Sequence, residues 1–126
     1  MVSNYKGLLF SIALLFFSCY QQERKCEDFK TGTFEFSTLL NGQLEKTTFI
    51  RNDSIQIEIY RQKTDTSKIR WINNCEFILT NLNPKNRKEE KPLHFKILTT
   101  NKETYTFEYK LVGKPNKEKG TAKKIN

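Results

Sequence analysis

The chain has 126 residues, with 22 basic side chains against 14 acidic ones and a formal net charge of +8. That length suits one domain with a modest core and leaves no room for a second. The basic balance favours anionic partners such as acidic membrane or glycans, but it is equally a solubility feature and selects none of them. In chain order, Lys6 and the apolar run Gly7 to Phe17 read as a secretory signal helix. The run falls well short of the roughly 20 apolar residues that a bilayer span needs.

Cysteine 19 follows that run directly. Phe16-Phe17-Ser18-Cys19 resembles the lipobox of bacterial lipoproteins, in which a small residue precedes the cysteine that receives lipid. Phe16 departs from the leucine usual there. The resemblance implies a signal peptide over residues 1–18 and a lipidated Cys19, with a polar tether over 19–25. With Cys19 lipidated, Cys26 and Cys75 remain as a pair in an oxidising compartment, where a disulfide is the expected state. Neither belongs to a C-x-x-C, and His94 is the only histidine, so the sequence offers no tetrahedral metal site.

Residues 26–126 read as a single all-β domain. β-branched and aromatic residues alternate with polar ones in short runs. The runs are Thr33 to Ser37, Lys46 to Arg51, Ile55 to Tyr60, Lys68 to Ile72, Cys75 to Thr80, Leu93 to Thr99, Thr104 to Leu111 and a weaker Thr121 to Ile125. Asn41-Gly42 predicts a type I′ hairpin that sets Phe36 opposite Thr47 and Phe34 opposite Phe49. Consistent side-chain direction then selects three-residue loops at 52–54, 72–74 and 101–103. They pair Phe49 with Ile57, Trp71 with Cys75, Ile69 with Phe77, Arg70 with Glu76, Ile97 with Phe107 and Phe95 with Tyr109.

The expected inward set includes Ile55, Ile57 and Ile59, with Gln56, Glu58, Glu76 and Glu108 on the solvent side. About eight short antiparallel strands suit a small lipocalin-like barrel, which removes exposed edges. A two-sheet sandwich is the alternative. The loops 81–92 and 113–120 read as solvated.

Little in this pattern supports catalysis. His94 falls on an outward face without a nucleophile beside it, and the strand glutamates alternate with core residues rather than meeting in a cleft. No glycine-rich phosphate loop occurs, and no cofactor is implied. Tyr105-Thr106-Phe107-Glu108-Tyr109 could be drawn as a stacking platform for nucleic acid, but the register makes these rings core, and acidic residues interleave them. Bulky inward residues favour a filled barrel over a ligand cavity. A shallow apolar mouth at Tyr60, Trp71 or Tyr105 is the candidate ligand site.

Three segments carry a wider likeness. Cys26-Glu27-Asp28-Phe29-Lys30-Thr31-Gly32-Thr33-Phe34, Arg51-Asn52-Asp53 and Arg70-Trp71-Ile72-Asn73-Asn74-Cys75-Glu76-Phe77 resemble small lipoproteins of Bacteroidetes-type bacteria. Some relatives bear the label DNA topoisomerase IV, which this short, export-marked chain without a nucleotide loop does not support. The resemblance implies an envelope location and no established activity. The expectation is therefore a non-enzymatic binding or interaction domain, lipid-anchored in the cell envelope, with an envelope protein or anionic surface as partner. A lipocalin-like carrier of a small apolar ligand comes second, and an envelope enzyme or enzyme inhibitor third.

Overall fold

The computed structural model describes residues 24–126; the expected signal segment, Cys19 and the tether before residue 24 lie outside the described residues. Asn41 (φ 52°) and Gly42 (φ 77°) adopt the positive φ pair of a type I′ turn. The turn joins β1 (Gly32–Leu40) to β2 (Gln43–Arg51) in the expected register, Phe34 opposite Phe49 and Phe36 opposite Thr47. A second such turn, Arg61 (φ 48°) and Gln62 (φ 66°), joins β3 (Ile55–Tyr60) to β4 (Lys63–Asn73). Neither residue advertises it in the sequence, so β4 starts five residues before the expected Lys68.

Strands β5 (Glu76–Asn81), β6 (Leu93–Asn101), β7 (Thr104–Leu111) and β8 (Glu118–Lys124) complete the meander, with one helical turn α1 (Arg87–Glu90) between β5 and β6. The eight strands form a closed antiparallel barrel, sealed where β1 pairs β8 from Phe34–Lys124 to Phe36–Ala122. The expected barrel is present and the sandwich is not. β8 begins at Glu118 rather than Thr121, taking in part of the expected lysine-rich loop. At Gly120 an added Cβ would lie 2.5 Å from the Phe36 ring and 2.9 Å from Phe107. Both rings use the space a side chain would occupy.

All three expected three-residue loops are two-residue loops, and their consequences differ. Between β4 and β5, Asn73 faces Glu76 and a bulge at Ile72 intervenes before Trp71 faces Phe77. Between β6 and β7, Asn101 faces Thr104 and a bulge at Leu98 intervenes before Ile97 faces Phe107. A bulge adds one residue to one strand and so restores facing. Ile69, Trp71, Phe77, Phe95, Ile97, Phe107 and Tyr109 thus keep their expected direction. The pairs Trp71–Cys75, Ile69–Phe77 and Arg70–Glu76 are replaced by Trp71–Phe77, Ile69–Leu79 and Arg70–Ile78.

Between β2 and β3 nothing compensates. Asn52 donates its backbone N–H to the Ile55 carbonyl (3.0 Å), and its side-chain oxygen accepts from Ser54 (2.9 Å) and Ile55 (2.8 Å). This closes a two-residue Asp53-Ser54 loop. Phe49 then faces Glu58, not Ile57, and Arg51 faces Gln56. The period-two rule inverts the whole strand. Ile55, Ile57 and Ile59 turn outward, where Ile57 pairs with the exposed Ile50. Gln56 and Glu58 turn inward.

One end of the barrel is plugged. A 3-10 turn, Cys26–Phe29, buries Cys26 and Phe29 against Phe34 and Tyr105, with the Phe29 and Tyr105 ring centroids 5.0 Å apart. Cys26 is bonded to Cys75, whose Cα lies 5.3 Å away. Arg24 donates to the Ile97 carbonyl (3.0 Å), and the Lys25 backbone N–H donates to Thr100 (2.9 Å). Outside, Glu35 pairs with Lys46 (3.2 Å) and Glu108 with Lys117 (3.6 Å). Charged pairs on the outer wall do not form the apolar band of a membrane-spanning barrel. Among the described residues no helix is long and apolar enough to cross a membrane.

The disulfide closes a loop across 49 residues of sequence, a constraint worth roughly 4 kcal/mol by loop-closure entropy. Cys75→Ala is expected to lower the thermal midpoint by several degrees while the wild-type bond is intact, the difference narrowing once a reductant opens it. An unchanged melting curve would remove the staple from the account.

A two-walled cavity in the barrel

In a closed meander, alternate connections lie at opposite ends. The plug occupies the end with the β2–β3, β4–β5 and β6–β7 loops. The other end carries the β1–β2 and β3–β4 turns and the β5–β6 and β7–β8 loops. Towards this end lies a cavity of about 360 Å³, above the lower bound of roughly 300 Å³ for small-molecule pockets. The expectation of a filled interior is corrected. The flip of β3 explains the room, since Gln56 and Glu58 stand where isoleucines were expected.

The lining has two characters. Phe36, Phe49, Phe95, Phe107, Leu93 and Leu111 form an apolar wall. Gln56, Glu58, Asp65, Ser67 and Asn81, from β3, β4 and β5, form a polar one. Lys88, Glu89 and Lys91 reach the cavity from the β5–β6 loop. That loop is shaped by Asn86, whose side chain accepts from the Glu89 backbone (2.9 Å), and by Glu89, which accepts from the Lys85 backbone (2.7 Å). The loop read as solvated in the sequence therefore forms the rim.

Arg51 lies on the plugged side, 3% exposed. Its Nε donates to Gln56 Oε1 (2.9 Å), Nη1 to the Phe29 carbonyl (2.7 Å) and Nη2 to the Tyr105 hydroxyl (3.1 Å). The guanidinium lies 4.6 Å from the Phe77 centroid, 4.8 Å from Phe34 and 5.4 Å from Phe49. A desolvated cation over a ring gains on the order of 2 kcal/mol, whereas an ion taken out of water costs on the order of several. Rings and neutral acceptors offset part of that cost. No carboxylate does so within ion-pair reach among the described residues.

Glu58 and Asp65 face each other directly across β3–β4. Glu58 keeps access to solvent, yet partial desolvation by the surrounding wall, and then the neighbouring Asp65 charge, push its carboxyl above the usual carboxylate range. Tyr109 is pushed up to about 12 by burial first, then by its hydrogen bond to Glu118 (2.7 Å) and by the Glu118 and Glu58 charges. Glu58 and Asp65 share one wall, whereas glycoside cleavage places its two carboxyls on either side of the scissile bond.

The residues expected to form a mouth are dispersed. Tyr105 lines the cavity, but deep, 2% exposed beneath Arg51. Trp71 does not line it; it packs on Phe77 near the plug with the Lys30 ammonium 5.1 Å from its ring. Tyr60 sits at the β3–β4 turn with Arg61 5.3 Å over its ring and is not part of the lining either. Cys26 and Cys75 form the plug. His94 bonds Glu76 Oε1 (3.0 Å) on the outer face, as its alternation implies. Arg51, Gln56, Glu58 and Asp65 escaped the sequence reading; Arg51 shares the inward parity of Phe49, the one available signal.

Among the described residues no three His, Cys, Asp or Glu side chains gather as a metal site. No protein family, no curated protein and no solved structure matches the chain.

A carboxyl with a raised pKa keeps its proton to higher pH in the folded than in the unfolded chain. Its contribution is therefore present at low pH and is lost as pH rises from the ordinary carboxylate value through the folded one. Glu58→Gln abolishes that loss. The variant is expected to melt higher than the wild type at pH 7, with the gain shrinking towards pH 4; equal gains at both would contradict the assignment.

Proposed function

We propose that this chain is a lipid-anchored, non-enzymatic binding protein of the bacterial cell envelope, whose barrel holds a small amphipathic molecule. The cavity of about 360 Å³, with one aromatic and aliphatic wall and one polar wall, carries this reading. Most small-molecule sites combine a largely apolar lining with a few convergent polar groups. The cavity ranks ligand carriage above the protein-docking role expected from the basic loops. The oxidised Cys26–Cys75 pair suits an exported domain. The lipobox-like Phe16-Phe17-Ser18-Cys19 and the likeness to Bacteroidetes-type lipoproteins support the anchor.

The neutral fluorescent probe N-phenyl-1-naphthylamine is expected to brighten and blue-shift on mixing with the protein in stoichiometric proportion. Leu93→Trp, which places an indole in the cavity wall, should abolish the signal while leaving the circular dichroism unchanged. Equal brightening by the wild type and this variant would rule out the cavity as the binding place. For the anchor, Cys19→Ala should move the protein from the membrane fraction to the soluble one; full membrane retention of the variant would remove lipid from the reading.

A further inference from the structure

The innermost part of the cavity is built from hydrogen-bond donors. Arg51, Gln56 and Tyr105 line it together, and all three are more than nine-tenths buried. A guanidinium has five N–H groups, and three of those on Arg51 are taken, by Gln56, Phe29 and Tyr105. Two remain. The Gln56 oxygen is held by Arg51, which turns the Gln56 amide NH2 outward from that bond with no acceptor among the described residues. The Tyr105 oxygen accepts from Arg51, so its own proton is left to donate, again without an acceptor among the described residues. No buried side-chain nitrogen or oxygen in the described part is both sealed from solvent and unpartnered. The Gln56 amide nitrogen, which has no partner among the described residues, is therefore open to the cavity that Gln56 lines, and Arg51 and Tyr105 line the same cavity beside it.

Resting on the carrier reading, we propose that the ligand is an organic carboxylate with a small apolar body, its carboxylate seated on Arg51, Gln56 and Tyr105. The seat lacks a negative charge of its own and presents a cation with donors on three sides, which is what an anion requires on leaving water. The apolar body lies against Phe36, Phe49, Phe95 and Phe107. Glu58 and Asp65, further along the polar wall, disfavour a second negative charge on the ligand, which would be repelled by theirs. They also favour a hydroxyl or amine on the edge of the body that faces them.

The test uses three probes with one tail and different heads: decanoate, decanol and decylamine. Each is titrated calorimetrically into the full chain carrying Cys19→Ala, which leaves the barrel untouched. One charge-assisted hydrogen bond is worth about tenfold in affinity, so decanoate should bind at least about tenfold tighter than decanol. Tyr105→Phe keeps the ring and removes the hydroxyl; it should weaken decanoate several-fold and leave decanol unchanged. Arg51→Met should erase the preference. Should that variant fail to fold, Tyr105→Phe and Gln56→Leu carry the same comparison. Decanol binding as tightly as decanoate, or decylamine binding tightest, overturns the carboxylate proposal while leaving the carrier reading in place. Binding of none of the three overturns both. A carboxylate preference that survives both Tyr105→Phe and Gln56→Leu overturns the assigned seat.

Discussion

The Arg51 guanidinium is the interaction on which the rest of the barrel depends. It ties four parts of the chain together: its own strand β2, β3 through Gln56, the N-terminal plug through the Phe29 carbonyl, and β7 through Tyr105. Aromatic rings enclose the charge from several sides. A cation in that position cannot be left without acceptors, because an unpaired buried charge is among the most destabilising features a fold can contain. The facing of β3 follows. Had the strand kept its isoleucines inward, Gln56 would have pointed to solvent and Arg51 would have lost the acceptor on its Nε.

The same flip gives the barrel its two ends. On the plugged side, Phe29, Phe34, Tyr105 and Ile97 exclude water almost completely. Towards the open side, the wall contributed by β3 and β4 is Glu58, Asp65 and Ser67. These are shorter or more polar than the aromatic residues they face, so the interior is not filled across its width. Stability is concentrated at one end and space at the other. Gly120 belongs to this division: Phe36 and Phe107, both of the apolar wall, lie over it where a side chain would otherwise stand.

Alternation made most of the fold legible. Phe34, Phe36 and Phe49 are placed by the Asn41-Gly42 turn alone, and Leu93, Phe95 and Ile97 by their match with Leu111, Tyr109 and Phe107. The loop lengths misread at β4–β5 and β6–β7 did no harm, because bulges at Ile72 and Leu98 absorbed the missing residue. At β2–β3 no bulge exists, and the run Ile55-Gln56-Ile57-Glu58-Ile59 hides its true facing. Its apolar half matches a core face, while the reason it turns outward lies in a long-range contact from Arg51 to Phe29 and Tyr105. The Arg61-Gln62 turn was equally hidden, since neither residue is a usual occupant of positive φ. The candidate site sits where local pattern and tertiary structure disagree, as functional positions commonly do.

The N-terminal fastening has a mechanical consequence. Residue 24 enters beside the plug, where Arg24 grips Ile97, Lys25 grips Thr100 and the sulfur bridge follows at Cys26. A pull on the leading end of the described chain is taken up first at Ile97 and Thr100 of β6 and then by the covalent bond to Cys75. The β5–β6 loop at the far end, with Lys88 and Glu89, carries none of that load. The fastening and the cavity thus lie at opposite poles of the same small cylinder.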